Sequence, residues 1–368
     1  MNHLSLLVVF GTRPEVIKLA PVISELKVSK SISIVVLNTE QQKELSNQAL
    51  KYFGLSADIK LNAMTYNQTL TDLQCRLMQR LDTVFQNNHF DGCIVQGDTM
   101  TVLAASLVSF YHKVPVFHVE AGLRSNNLYS PYPEEAIRRI VSKIATLHFA
   151  PTQLAYDRLI NEGTDPRKVT ITGNTSIDAI KLLFEINKPK DQSKDKKILI
   201  TVHRRENQGE KLESILDAVL ELSQKLQDYS LVLPVHPNPN VKQKVIERLK
   251  NIDNVILTPP MDYPELIQTM STSEMILTDS GGIQEEATLF NIPILVLRDT
   301  TERYEGVESG HAIVVGTDKQ FIVSTAMKYL KGGERLKILS PYPYGDGKAS
   351  KKIVSKLLSF YSASVGIM

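Results

Sequence analysis

Short apolar runs rich in Val, Ile and Leu recur along the chain and alternate with longer amphipathic stretches. They fall at 4–10, 34–37, 93–95, 116–119, 146–149, 169–171, 198–202, 231–235, 254–257, 275–277 and 294–297. Runs without polar interruption predict strands buried on both faces, and the stretches between them predict the covering helices. The pattern is that of an α/β chain with parallel sheets. There are more such runs than one open sheet ordinarily holds. The pattern also restarts after a lysine-rich, low-apolar segment at 187–197. We therefore read two doubly wound, Rossmann-like domains. Residues 1–172 form the first and 173–350 the second, and a last helix within 351–368 packs back on the first. In the 187–197 segment lysine alternates with aspartate, as in a solvated loop rather than a basic binding patch.

Composition changes this picture little. A chain of 368 residues is long enough for two cores, and a net charge of +2 argues against nucleic acid or a membrane surface as partner. No apolar run approaches the roughly 20 residues of a membrane helix. The N-terminus lacks the pattern of a secretory signal, so a cytoplasmic location is expected. Cys75 and Cys93 are too few for a disulfide framework, and their apolar neighbours predict inert core thiols.

Ligands of open parallel sheets bind beyond the carboxyl ends of the strands. The polar residues following the apolar runs are Gly11-Thr12-Arg13, Gly97-Asp98, Glu120, His203-Arg204-Arg205, His236, Asp279-Ser280 and Arg298. Two sheets facing one another would bring these groups into one interdomain cleft. Ser280-Gly281-Gly282, between a strand and a helix, has the makings of a phosphate cradle, because small residues let a phosphate reach free amide groups. Glu285 and Glu286 would repel an anion, so at least one is expected to meet hydroxyls. That combination points to a ribose carrying a diphosphate.

Thr12 and Glu15 have capping-box spacing, which accounts for them structurally. Arg13 and Lys18 place cations near a helix N-terminus, where an intervening anion would explain them. Asp98 and Glu120 stand at the ends of neighbouring strands, and paired carboxylates can accept and donate a proton. Capping of the next helix is an equal reading of Asp98. Glu134 and Glu135 follow a proline-braced loop, and a structural role rivals a functional one for one of them. Arg138 and Arg139 could pair with these two glutamates. His203, flanked by arginines, suits anion contact, whereas His236 fits either a ligand or its proline-rich turn. Asp299 to Arg303 supplies hydroxyls and charges beside the cradle. No phosphate loop, dinucleotide fingerprint, nucleophile elbow or metal-ligand spacing occurs, so no cofactor or metal is expected.

Together these residues resemble the non-hydrolysing UDP-N-acetylglucosamine 2-epimerases. The resemblance rests on Phe10 to Glu15, Gly97 to Thr99, His118 to Arg124, Tyr129 to Glu135, Gly173-Asn174, His203 to Glu206, Leu277 to Glu286 and Arg298 to Arg303. It implies a GT-B-like fold, a homodimer, and inversion at C2 of a UDP-sugar through elimination and re-addition of UDP. It implies that Asp98, Glu120 and Glu134 are the catalytic carboxylates and that His203, Arg13 and Lys18 engage the departing UDP. Ser280, Gly281, Gly282 and Glu286 match positions holding the phosphates and ribose, and His236 and Arg303 are further substrate-binding candidates. The chain departs from the family pattern at Glu40, Gln42 and Asn67, where many bacterial members bind a second, regulatory ligand, so such regulation is not expected here. Ile137 and Tyr304 also depart, beside the implied sugar contacts, which leaves a modified UDP-sugar open.

Overall fold

The computed structural model describes residues 3–125, 127–186 and 195–365. Most of the lysine-rich segment, 187–194, and the last three residues of the expected final helix lie outside the described residues. The chain divides into two compact units. One comprises Met1–Asn187 with Gly345–Met368, and the other Lys188–Tyr344.

The first unit runs β1 (Leu4–Phe10), α1 (Arg13–Val28), β2 (Ile32–Asn38), α2 (Lys43–Tyr52), β3 (Ile59–Lys60), α3 (Leu70–Asn87), β4 (Gly92–Gln96) and α4 (Met100–Tyr111). It continues through β5 (Val116–Val119), α5 (Glu134–Ile144), β6 (Leu147–Ala150), α6 (Gln153–Asn161), β7 (Val169–Ile171) and α7 (Thr175–Ile186). Its seven-stranded sheet has the order β3-β2-β1-β4-β5-β6-β7, and every pairing is parallel. Both faces are covered, as the unbroken apolar strands require. Leu7, Val9, Cys93 and Val95 pack in a core with α3, α4 and α5.

The second unit contains β8 (Lys196–Thr201), α8 (Glu210–Lys225), β9 (Tyr229–Pro234), α9 (Pro239–Leu249), β10 (Val255–Thr258), α10 (Tyr263–Ser271) and β11 (Met275–Thr278). There follow α11 (Gly281–Glu286), β12 (Ile294–Val296), α12 (Tyr304–Glu308), β13 (Ala312–Val314) and α13 (Lys319–Leu330). The parallel sheet order is β10-β9-β8-β11-β12-β13. Its core joins Ile198, Ile200, Leu231, Leu233, Met275 and Leu277 to the apolar faces of α8, α9 and α13.

Helix α14 (Ala349–Val365) lies with the first unit, against α1 and α7. Phe360 and Tyr361 meet Phe117 of β5 edge-on, at centroid distances of 5.7 and 6.0 Å. Asp178 of α7 caps α14, accepting from Ala349 N at 3.1 Å and from Ser350 N at 2.8 Å. The first unit therefore extends past the boundary expected at 172, because α7 is packed into it. It also takes in residues from Gly345 rather than from 351.

Candidate active site

In each sheet the strand order reverses between the first and fourth strands, and the loops opening there form the natural ligand crevice. In the first unit that point lies between β1 and β4. Glu15 closes it: its carboxylate accepts from Gly11 N at 3.0 Å, Thr12 N at 2.7 Å and Thr99 Oγ1 at 2.8 Å. It thereby fastens the turn bearing Arg13 to the turn bearing Asp98. Gly11 is required here, since a Cβ would meet Thr39 Oγ1 at 2.1 Å. The half-buried Arg13 guanidinium has no side-chain partner among the described residues, which leaves it open to an anion.

Asp98 does not cap α4; Thr99 does, accepting from Val102 N. Asp98 instead pairs with Arg138 at 2.7 Å. At the end of the adjacent strand, Glu120 adopts φ +62°, a left-handed backbone that costs a non-glycine residue about 1–3 kcal/mol. Its two carboxylate oxygens accept from Lys18 Nζ and Gln96 Nε2. The two strand-end carboxylates thus each have a cation of their own. Lys18, expected on the leaving group, is bonded to Glu120. Beneath both, buried His118 bonds its Nε2 to the Gly97 carbonyl at 2.8 Å, and burial pushes the ring down to about 4.

The glutamate pair after the proline loop divides cleanly. Glu135 is fully buried and accepts from Ser125 N at 2.8 Å, Arg139 at 2.8 Å and Arg138 at 3.3 Å. It is a structural anchor. Glu134 keeps a buried Oε2 with no hydrogen-bond partner among the described residues, so an acceptor is available there. Ile137 is 2% exposed and belongs to the apolar core, so it does not face a sugar.

In the second unit, the β8 and β11 ends meet at Asp279, which is fully buried. It accepts from Arg204 N at 2.9 Å and from Asn207 Nδ2 at 3.0 Å, and His203 Nδ1 lies 2.9 Å from Oδ1. Burial pushes the Asp279 carboxyl up, but the bond and charge of His203 and the backbone donors outweigh it and hold it below its ordinary value. His236 lies across His203, with ring centroids 6.4 Å apart and planes at 25°. Its Nδ1 accepts from Asn238 N at 3.2 Å, a contact within its own proline-rich turn.

Ser280 caps α11. Arg303 lies against Gly281, where a Cβ would meet its guanidinium at 3.3 Å, and a Cβ on Gly282 would meet only Ser280 Oγ at 4.0 Å. Arg303 neutralises Glu285, while Glu286 accepts from Tyr263 Oη at 3.1 Å. Arg298 is held between Glu206 and Glu302, each at 2.7 Å.

The expected pairing of Arg138 and Arg139 is found on Glu135, but sequence reasoning missed Arg138 as the partner of Asp98, Gln96 as the partner of Glu120, and Tyr263, which sits in α10 with no local signal. Cys93 is buried as expected and its thiol is pushed up to about 12, but Cys75 is exposed. It falls on the outer face of α3, whose buried face carries Leu73, Leu77 and Leu81. Glu40 and Asn67 both take left-handed backbone, at φ +59° and +49°. Gln42 accepts from Arg13 N at 3.1 Å.

Among the described residues no helix is long and apolar enough to cross a membrane, and no group of three His, Cys, Asp or Glu could hold a metal ion.

A family model described as UDP-N-acetylglucosamine 2-epimerase matches residues 24–358. The chain is 44% identical over 369 residues to UDP-N-acetylglucosamine 2-epimerase of Neisseria meningitidis serogroup A, covering 96% of this chain and 99% of that relative. It is 42% identical to the Bacillus subtilis enzyme of the same name, covering 98% and 97% of the two chains. The crystal structure of UDP-GlcNAc 2-epimerase from Neisseria meningitidis bound to UDP-GlcNAc matches with a TM-score of 0.85 at 43% identity, covering 97% of this chain and 100% of that one. Strand-end carboxylates on one GT-B-like sheet, a histidine and a glycine cradle on the other, and likeness over nearly the whole length lead to one conclusion: the chain belongs to the UDP-N-acetylglucosamine 2-epimerase family, and so is an isomerase.

Proposed function

We propose that the protein interconverts UDP-N-acetylglucosamine and UDP-N-acetylmannosamine, supplying precursors of surface polysaccharide. A carboxylate removes the proton from C2 as the C1–O bond to UDP breaks, leaving 2-acetamidoglucal and free UDP. Re-addition of UDP at C1, with a proton delivered to the opposite face of C2, gives the epimer. Atoms balance without an oxidant or reductant.

The observation that carries this reading is the pair Asp98 and Glu120 at adjacent strand ends, each fixed by its own cation. Glu120 is further held in a backbone conformation that only surrounding contacts maintain. Proton transfer by positioned carboxylates is the chemistry such a pair suits. Glu134, with its unbonded oxygen, is the third member. Arg13 and His203 stabilise charge developing on the diphosphate. Ser280, Gly281, Gly282 and Glu286 hold phosphates and ribose, with Arg303 and His236 beside them. Lys18, bonded to Glu120, supports that carboxylate in addition to its expected place near the leaving group. The protein works in the cytoplasm as a homodimer, so sedimentation is expected to give twice the chain mass.

NMR of UDP-N-acetylglucosamine incubated with the protein tests the reading. A second UDP-hexosamine with the manno configuration is expected, and Asp98→Asn and Glu120→Gln are expected to lower kcat by about 10²–10⁴ while UDP still binds. Conversion undiminished in both variants would remove the carboxylates from the mechanism.

A further inference from the structure

We propose that Asp279 is a positioning residue for this reaction, acting through His203: it fixes the imidazole so that Nδ1–H is bonded inward and Nε2 is presented to the diphosphate. The inference rests on the epimerase reading above and adds to it a residue outside the set of substrate contacts. Asp279 is completely buried at the end of β11, and its Oδ1 lies 2.9 Å from His203 Nδ1. An ionised carboxylate only accepts hydrogen bonds, so Nδ1 carries the hydrogen. Half the ring remains open, with 42% of the His203 side chain exposed, and the inward bond leaves Nε2 as the atom free for a ligand. The His236 ring lies beside that of His203, with centroids 6.4 Å apart.

The aspartate also balances the positive charge of a ring protonated at both nitrogens. Such a ring can donate from Nε2 to the oxygen that carries charge as the C1–O bond breaks, and reclaim the contact as UDP returns. The alternative is a purely structural aspartate, because His203 N, Arg204 N and Asn207 Nδ2 all donate to the same carboxylate.

Asp279→Asn separates the two. With its oxygen in the Oδ2 position the amide still accepts from Arg204 N, His203 N and Asn207, while its NH₂ faces His203 Nδ1. The ring must then accept at Nδ1, so it carries a single hydrogen, on Nε2, and meets the diphosphate without the positive charge that the aspartate balances. We expect kcat to fall by about 10²-fold or more with KM changed by less than about threefold. His203→Asn is expected to cost a similar factor, and the double variant no more than His203→Asn alone. A further full loss in the double variant would show that Asp279 acts on the turn and overturn the proposal. A second measurement needs no variant to fold. In the ¹⁵N NMR spectrum of the UDP-bound wild-type protein, His203 Nδ1 is expected to be protonated, and an unprotonated Nδ1 overturns the proposal. This holds whatever reaction is catalysed, so failure of the epimerase reading stays distinguishable.

Discussion

Glu15 accepts from both turns at the first switch point while only 2% exposed, and burial outweighs its hydrogen bonds, pushing the carboxyl up to about 7. Because the folded value lies above the unfolded one, the folded state holds this proton more tightly. Its contribution to stability is complete below about pH 4.5 and is lost as pH rises through about 7. The loss amounts to about 3 kcal/mol. Glu15→Gln, able to accept from Gly11 and Thr12 and donate to Thr99, is expected to flatten the dependence of unfolding free energy on pH over this range. Denaturant titrations at several pH values check it, and an unchanged slope would show that Glu15 is not the group responsible. Arg13, without a side-chain partner, belongs to the same turn. Arg13→Ala is expected to weaken UDP binding by about 1.5–3 kcal/mol with stability unchanged, as calorimetry would show. The residue types at strand ends were legible because charge there is costly without a purpose. Their partners were not: Arg138 reaches Asp98, and Tyr263 reaches Glu286, across distances in sequence that no local pattern encodes.

At the scale of elements, the long buried strands announced themselves through continuous apolar runs. Of the four edge strands, β7 and β10 did so as well, but β3 and β13 did not. Each is short, and an edge strand needs burial on fewer sides, so its sequence carries a weaker signal. The capping of α14 was likewise invisible, because Asp178 stands 171 residues from Ala349, whose amide it accepts from. Asp178→Ala removes three hydrogen bonds, from Ala349 N, Ser350 N and Ser350 Oγ. It is expected to lower stability by about 1–2 kcal/mol, seen as a lower melting temperature. Gly122, at φ +92°, would bring a Cβ within 2.2 Å of the Ala155 carbonyl oxygen. The loop after Glu120 thus tolerates no side chain there.

At the scale of the molecule, the two sheets repeat one plan. Each reverses its strand order beside its first strand. The alternation of apolar runs makes this duplication readable in the sequence, because parallel strands buried on both faces leave little freedom in composition. The division between the units was less readable. It depends on α7 packing against α1 and α14, which is a tertiary choice. The central claim is that carboxylates of the first unit move the C2 proton of a UDP-sugar. Incubation with UDP-N-acetylglucosamine in deuterated water tests it most directly. The account predicts deuterium at C2 in both the recovered substrate and a second UDP-hexosamine, with incorporation lost in Asp98→Asn. A C2 proton that stays in place while UDP binds tightly would contradict it.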